Sequence, residues 1–270
     1  MQKKIWSLVG CGWLGTPLLQ NLIKTYPDVH FVVSTRTNDQ CQKLLQHHQN
    51  IKWVHLDLTD LTSSSYKDAL KELKQSSLMI FLLPPQPIEH LQNFVSSFSP
   101  ELNFVFTSST SVYGKNLGLV QEKDVILDPE NTNSPLLIST EEFIRSYFKR
   151  PTLLRLGGLY GNKRHPVFFL QGRKDCRGGN EFIHLCSQQD GVTAILKVIE
   201  KQVWGETIHI VSDLRIKKSL YYQKMAEKLK LESPEYLEEV STQDQTNLDN
   251  SKAKNLLEMN FENPLEYKMS

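Results

Sequence analysis

The sequence predicts an α/β fold with a doubly wound parallel sheet and a small C-terminal lobe. Two observations carry this reading. A short β-rich run, Ile5 to Val9, stops at a glycine cluster and passes into the amphipathic stretch Thr16 to Thr25, which reads as strand, tight turn and helix. The same alternation then recurs along the chain, and repeated βα units imply a parallel sheet with helices on both faces.

The elements follow in order. Strand-like Val29 to Val33 precedes a helical stretch at about Asp39 to His48. Ile51 to Leu56 precedes a helix at about Ser65 to Leu73, and Leu78 to Leu83 precedes the apolar-periodic stretch Ile88 to Phe98. Phe104 to Phe106, helical Thr140 to Phe148 and strand-like Thr152 to Leu156 complete the first part. Beyond Gly161 the rhythm breaks. Residues 162–180 are rich in Gly, Arg and Lys, and short elements follow: strand Phe182 to Leu185, helix Gly191 to Lys201, strand Thr207 to Val211 and helix Leu220 to Leu229. Residues 1–161 are therefore expected to form a dinucleotide-binding region. Residues 162–270 are expected to form a smaller substrate-side lobe, partly packed back on the sheet. The polar segment Glu232 to Asn250, with Pro234, reads as partly loop.

Composition narrows the function classes. With 31 Lys plus Arg against 30 Asp plus Glu, the net charge of +1 leaves no basic excess for nucleic acid. The longest apolar stretch, Leu78 to Leu83, falls far short of the ~20 residues of a bilayer span. The N-terminal apolar run is strand-length, so no signal peptide is expected and the predicted location is cytoplasmic. Cys11, Cys41, Cys176 and Cys186 form no CxxC pair and read as free thiols. The adjacent His47 and His48 cannot share one helix face, and no metal site is expected.

The glycine cluster is GCGWLG, with Gly10, Gly12 and Gly15 between strand and helix. Each glycine has a distinct physical role. Gly10 allows the tight turn, Gly12 lets backbone approach a pyrophosphate, and Gly15 lets helix pack on strand. The helix N-terminus, beginning at Leu14, offers N–H groups and a positive dipole end to phosphates. This is the pattern of a Rossmann dinucleotide site. At the end of the second strand, where NAD-binding sites carry an acid for the ribose 2′-hydroxyl, the residues are Ser34, Thr35, Arg36 and Thr37. Arg36 with Ser34 suits a 2′-phosphate, so NADP is the expected cofactor in preference to NAD. Asp57 either reaches the adenine or caps its own turn. Trp13 sits in the loop either as a neighbour of the dinucleotide or as an anchor of the first helix. Leu83 and Pro84, ending the fourth strand, are placed on the cofactor side, where Pro84 and Pro85 stiffen the loop and remove two N–H donors.

The run TSSTSVYG, Thr107 to Gly114, follows the fifth strand. Here the sequence resembles the extended short-chain dehydrogenases/reductases, in which SSxxVYG carries the active-site hydroxyl. The resemblance extends to LRLGGLYG at Leu154 to Gly161, to Arg164–His165–Pro166, and to the tail DNSKAKNLLEMNF from Asp249. Within that family the glycine loop and SSTSVYG most resemble the atypical, epimerase/dehydratase-like, YeeZ-like bacterial proteins, which are thought to bind NAD(P). The resemblance implies an extended short-chain dehydrogenase/reductase fold, places Ser109 on the hydroxyl position, and implies a homodimer through the helices near Ile88 to Phe98 and Thr140 to Phe148.

The family's chemistry also uses a Tyr with a Lys four residues on. None of the nine tyrosines has a Lys at +4, and SPLLIST puts Leu136 and Thr140 on the two positions. An unassisted phenol titrates near ~10, so a neutral-pH proton relay needs another partner. Tyr113 is the phenol on the Ser109 loop and the candidate replacement; its alternative role is to pack that loop. Ser109 is in turn either the substrate-oxygen ligand or a strand-end turn hydroxyl. Arg164 and His165 are candidates to grip a phosphate or carboxylate of a polar small-molecule substrate, and Arg155 is expected to be structural. Three readings remain open: an NADP-binding oxidoreductase or epimerase/dehydratase-like enzyme, a regulator that senses NADP(H) without catalysis, and a domain binding another nucleotide.

Overall fold

The computed structural model describes residues 4–36, 48–115, 117–124, 135–237 and 245–268. The helix expected at about Asp39 to His48 falls almost entirely outside them. Two compact units are built from interleaved segments: unit 1 from Met1–Ser108, Pro135–Leu154 and Ile195–Glu206, and unit 2 from Ser109–Ser134, Arg155–Ala194 and Thr207–Ser270.

In unit 1, β1 (Ile5–Val9) leads through the glycine loop into α1 (Gly15–Thr25), and β2 (His30–Thr35) and β3 (Ile51–His55) follow. Then come α2 (Ser64–Leu73), β4 (Leu78–Phe81), α3 (Ile88–Val95), β5 (Asn103–Ser109), and, after a short strand β6 (Leu119–Val120) that belongs to unit 2, α4 (Pro135–Tyr147). β1 pairs in parallel with both β2 and β4, β2 with β3, and β4 with β5. The large sheet has seven strands in the order β10-β7-β5-β4-β1-β2-β3, where β7 is Thr152–Leu156 and β10 is Thr207–Ile210. This is a doubly wound, Rossmann-like α/β arrangement, with its order reversing at β1.

The helices form because their apolar residues recur on one face. α1 buries Gly15, Leu18, Leu19 and Leu22, and α2 opens on Ser63, whose hydroxyl accepts the Tyr66 N–H. Phe81 anchors the core against Phe94, Phe104 and Phe106, and Phe104 stacks on Phe148 at 4.3 Å. Such aromatic pairs add about 0.5–1.5 kcal/mol each beyond their buried area.

Unit 2 contains two small parallel pairs, β8 (Gly158–Tyr160) with β9 (Leu185–Ser187), and β11 (Asn247–Leu248) with β6. Its helices include α5 (Val167–Leu170), α7 (Lys218–Leu229) and α8 (Ser251–Leu257), while α6 (Gln188–Lys201) begins in unit 2 and ends in unit 1. The strand expected at Phe182 to Leu185 instead starts at Leu185, because Phe182 makes only an isolated bridge to Lys217.

His165 is a core residue of this unit and is fully buried. Its ring stacks on Tyr267 at 4.9 Å and lies beside Tyr221. Nδ1 accepts the Val167 N–H at 3.1 Å, so the neutral ring carries its proton on Nε2, which donates to the Tyr221 hydroxyl at 2.9 Å. Burial lowers the imidazole from its usual value to about 4. The pairing with Arg164 expected for substrate is therefore not formed: Arg164 is exposed, while both His165 nitrogens are bonded inside the protein. Among the described residues no helix is long and apolar enough to cross a membrane.

Candidate functional site

The first cleft belongs to unit 1. It encloses about 280 Å³ and is lined by residues just past the C-terminal ends of β1, β2, β3 and β4, at the point where the strand order reverses. Gly10 and Gly12, Ser34 and Arg36, Asp57, Leu83 and Pro84 all line it, together with Gln86. Residues far apart in sequence are thus brought to one place by the register of four parallel strands.

The glycines differ in what they do. Gly10 has φ +94°, and a Cβ there would lie 2.9 Å from Leu83 Cδ2. At Gly15 a Cβ would meet the Gly10 carbonyl oxygen at 2.8 Å, so this glycine is fixed by helix–loop packing and does not line the cleft. Gly12 has nothing within 4 Å of its missing Cβ. Its bare backbone opens onto the cleft, a cradle that a side chain would fill. Leu14 is the N-cap of α1, with no side-chain cap and no acid in the first turn, which leaves the positive helix end available to an anion. Leu14 is buried and Trp13 half-buried, and neither lines the cleft.

The polar groups of the cleft divide by commitment. The Ser34 hydroxyl accepts the Gly10 N–H at 3.1 Å and is buried, so it shapes the loop. Arg36 is exposed, and its carbonyl oxygen lies 3.0 Å from His55 Nε2. Asp57 accepts both the N–H and the hydroxyl of Thr59, and these bonds, with Arg36 and His55 nearby, hold its carboxyl below the usual range. It caps its turn while still lining the cleft. Cys11 also lines the cleft and is disulfide-bonded, which corrects the reading of four free thiols; Cys176 and Cys186 are free. Disulfide formation depends on spatial approach, which cysteine spacing does not encode.

The second cleft belongs to unit 2 and encloses about 300 Å³. Ser109 and Tyr113 line it with Thr110 and Ser111, while Lys115, Glu181, His184, Lys218, Gln245 and Thr246 supply further polar groups. The Ser109 hydroxyl oxygen accepts the Ser111 N–H at 3.1 Å, which leaves its own proton to donate. Burial alone would raise the Glu181 carboxyl, but bonds to Lys115, at 2.6 Å, and to Lys218 outweigh it and hold the group ionised. Burial, with Arg215 and Lys218 nearby, lowers His184 to about 3, and its Nε2 has no hydrogen-bond partner. Arg164 and His165 do not line this cleft.

Beneath Ser109 lies a buried network that the sequence did not reveal. Burial lowers His209, keeping its ring neutral, and its Nδ1–H donates to the Asp249 carbonyl at 2.7 Å. Nε2 is then an acceptor, so the Tyr113 hydroxyl donates to it at 2.6 Å, while Arg155 donates to the same phenolic oxygen. The Arg155 guanidinium also lies 4.9 Å from the centre of the Tyr113 ring. Tyr113→Phe removes an acceptor from a buried cation and a donor from His209, and is expected to cost about 2 kcal/mol. Urea denaturation at neutral pH measures this; an unchanged midpoint would show that the network contributes nothing.

No family model matches the chain. It is 25% identical to the Escherichia coli K12 protein YeeZ over 97% of both chains. The chain is similar to YeeZ along nearly its whole length. Mouse dTDP-D-glucose 4,6-dehydratase is 22% identical over 77% of this chain and 68% of its own length. The fold also matches the Bacillus cereus UDP-glucuronic acid 4-epimerase solved with UDP-glucuronic acid and NAD, with a TM-score of 0.75 at 18% identity, covering 97% of this chain and 95% of the other. The shared architecture is the Rossmann-like α/β fold with its seven-stranded sheet.

Proposed function

We propose that the chain is a nicotinamide-dinucleotide-binding enzyme of the short-chain dehydrogenase/reductase type, an oxidoreductase or epimerase/dehydratase-like catalyst acting on a polar small molecule. The observation that carries this is the cleft at the strand-order reversal, where Gly12 presents bare backbone beside the uncapped start of α1. Gly10, Gly12 and the α1 N-terminus would hold the pyrophosphate, Asp57 the adenosine end, and Leu83 with Pro84 the floor toward the nicotinamide. NADP is preferred, because Arg36 stands where an acid would select NAD. When bound, the dinucleotide supplies hydride transfer. A sugar nucleotide is the substrate class suggested by the relatives, whose names include a dTDP-glucose dehydratase and a UDP-glucuronic acid epimerase.

In this reading Ser109 donates its free proton to a substrate oxygen, and Tyr113 is the exchanging phenol, with His209 Nε2 as the acceptor of its proton. Lys115 and Lys218 face the polar end of the substrate. A homodimer through α3 and α4, which pack on one another, belongs to the same proposal. One observation favours the second reading, a dinucleotide-sensing protein without catalysis: Tyr113 is only 4% exposed and its proton is directed to His209. Leu136 and Thr140, on the positions of the usual Tyr and Lys, supply no replacement; the Thr140 hydroxyl donates to the Leu136 carbonyl.

Titration with NADPH and NADH, read by Trp fluorescence, tests the cofactor assignment. NADPH is expected to bind more tightly, and Arg36→Ala to reduce that preference about tenfold, in keeping with loss of one charge-assisted hydrogen bond at an exposed site. Equal binding of both would remove the NADP assignment, and binding of neither would remove the dinucleotide reading.

A further inference from the structure

At the C-terminal ends of β2 and β3 a side chain takes over where the backbone ladder stops. The two strands pair in parallel with Thr35 opposite His55, and the Leu56 N–H donates to the Thr35 carbonyl at 3.1 Å. The next carbonyl belongs to Arg36, one residue beyond β2, and the His55 ring meets it, with Nε2 3.0 Å from the Arg36 oxygen. A carbonyl only accepts, so Nε2 carries the proton and donates, whether the ring is neutral or charged. The bond joins residues 19 positions apart and holds the backbone of a residue that lines the cleft at the strand-order reversal.

Two features make that hold consequential. Arg36 is exposed, and its long side chain has many rotamers to lose on meeting a ligand. An acid also stands nearby: Asp57 lines the same cleft, and its carboxyl is lowered by its bonds to Thr59 and then by the charges of Arg36 and His55. A guanidinium on an untethered backbone would lean toward Asp57 as readily as toward an incoming anion. We propose that His55 is a positioning residue for Arg36, and that by holding the Arg36 carbonyl it helps select a 2′-phosphorylated dinucleotide over one with a free 2′-hydroxyl. His55 does not itself line the cleft, so it acts through Arg36 and not on the phosphate. The inference rests on the dinucleotide reading given above.

Calorimetric titration of the full chain and its variants with NADPH and NADH tests this. The parent should prefer NADPH. His55→Ala should reduce that preference about threefold by weakening NADPH alone, as expected for loss of one exposed hydrogen bond, with NADH binding unchanged. His55→Gln, whose side-chain amide N–H has a reach similar to that of imidazole Nε2, should restore the preference. In an Arg36→Ala background, His55→Ala should change nothing further. An unaltered preference in His55→Ala, or no recovery in His55→Gln, would overturn the proposal, while a loss of preference in Arg36→Ala would keep the dinucleotide reading standing. Equal weakening of NADPH and NADH would mark His55 as a structural group, and a further loss in the double variant would put it on the phosphate directly; either result overturns the positioning role. Binding of neither nucleotide by the parent would remove the dinucleotide reading, and the proposal with it.

Discussion

Gly12→Val is expected to abolish NADPH binding, by more than about a hundredfold, while leaving the ligand-free protein as stable as the parent. The reason is the difference among the three glycines. A Cβ at Gly12 meets nothing within 4 Å, so a branched side chain there enters the cleft without disturbing the fold. At Gly10 the positive φ and at Gly15 the Gly10 carbonyl at 2.8 Å make any side chain a folding lesion. The parent should gain about 2.7 kcal/mol at a hundred times Kd of NADPH, and the Gly12→Val protein none, a difference that thermal melting resolves. Undiminished NADPH stabilisation of the variant would mean that the cleft at the strand-order reversal is not the dinucleotide site. Gly15→Ala serves as the contrast, with a lower melting temperature before any ligand is added.

The second large effect is an acid-side loss of stability set by His165. Its imidazole titrates near 4 in the folded protein because burial disfavours the charged ring, against the ordinary value of 6.5. Between those values the unfolded chain binds a proton that the folded chain does not, so stability is complete above 6.5 and falls as the pH drops toward 4. The full span corresponds to about 3 kcal/mol. His184, lowered to about 3, acts in the same direction. Asp190 acts in the opposite one: burial raises its carboxyl to about 6, so its contribution is lost as the pH rises. A comparison with His165→Phe isolates the histidine. The variant should be less stable than the parent at pH 8, where it lacks the bonds to Val167 and Tyr221, and this deficit should shrink as the pH falls through 6.5 toward 4. Urea midpoints across pH 4 to 8 provide the measurement, and a deficit independent of pH would exclude a buried neutral His165.

Much of unit 1 is legible in the sequence because each strand there is a short apolar run closed by a breaker. Ile5 to Val9 and Thr152 to Leu156 match the observed strands at both ends, bounded by Gly10 and by Pro151 and Gly157. The cleft residues were legible for a related reason: in a parallel sheet, ligand groups follow the strand ends, and strand ends can be read in order. The two-residue strands β6 and β11 carry too few residues for any period to show. The Tyr113 network was hidden for a different reason. Arg155 and His209 lie 42 and 96 positions from Tyr113, and only the fold of unit 2 brings them to the phenol. The same holds for Lys218 and Glu181, joined across 37 positions, and for His165, whose motif suggested a ligand group while its surroundings make it core.

The interleaving of the two units governs how the chain can be made. Unit 1 opens at the N-terminus but closes only with Ile195–Glu206, and Phe104 on β5 waits for Phe148 before its stacked partner exists. At a ribosomal rate of about 5–20 residues per second, the first 108 residues emerge roughly 5 to 20 seconds before their last segment. Through that interval the β-rich runs ending at Phe81 and Phe106 are in the nascent chain without Phe148 to stack on Phe104. No single cleavage or truncation point yields either unit whole, because each is assembled from three stretches of chain.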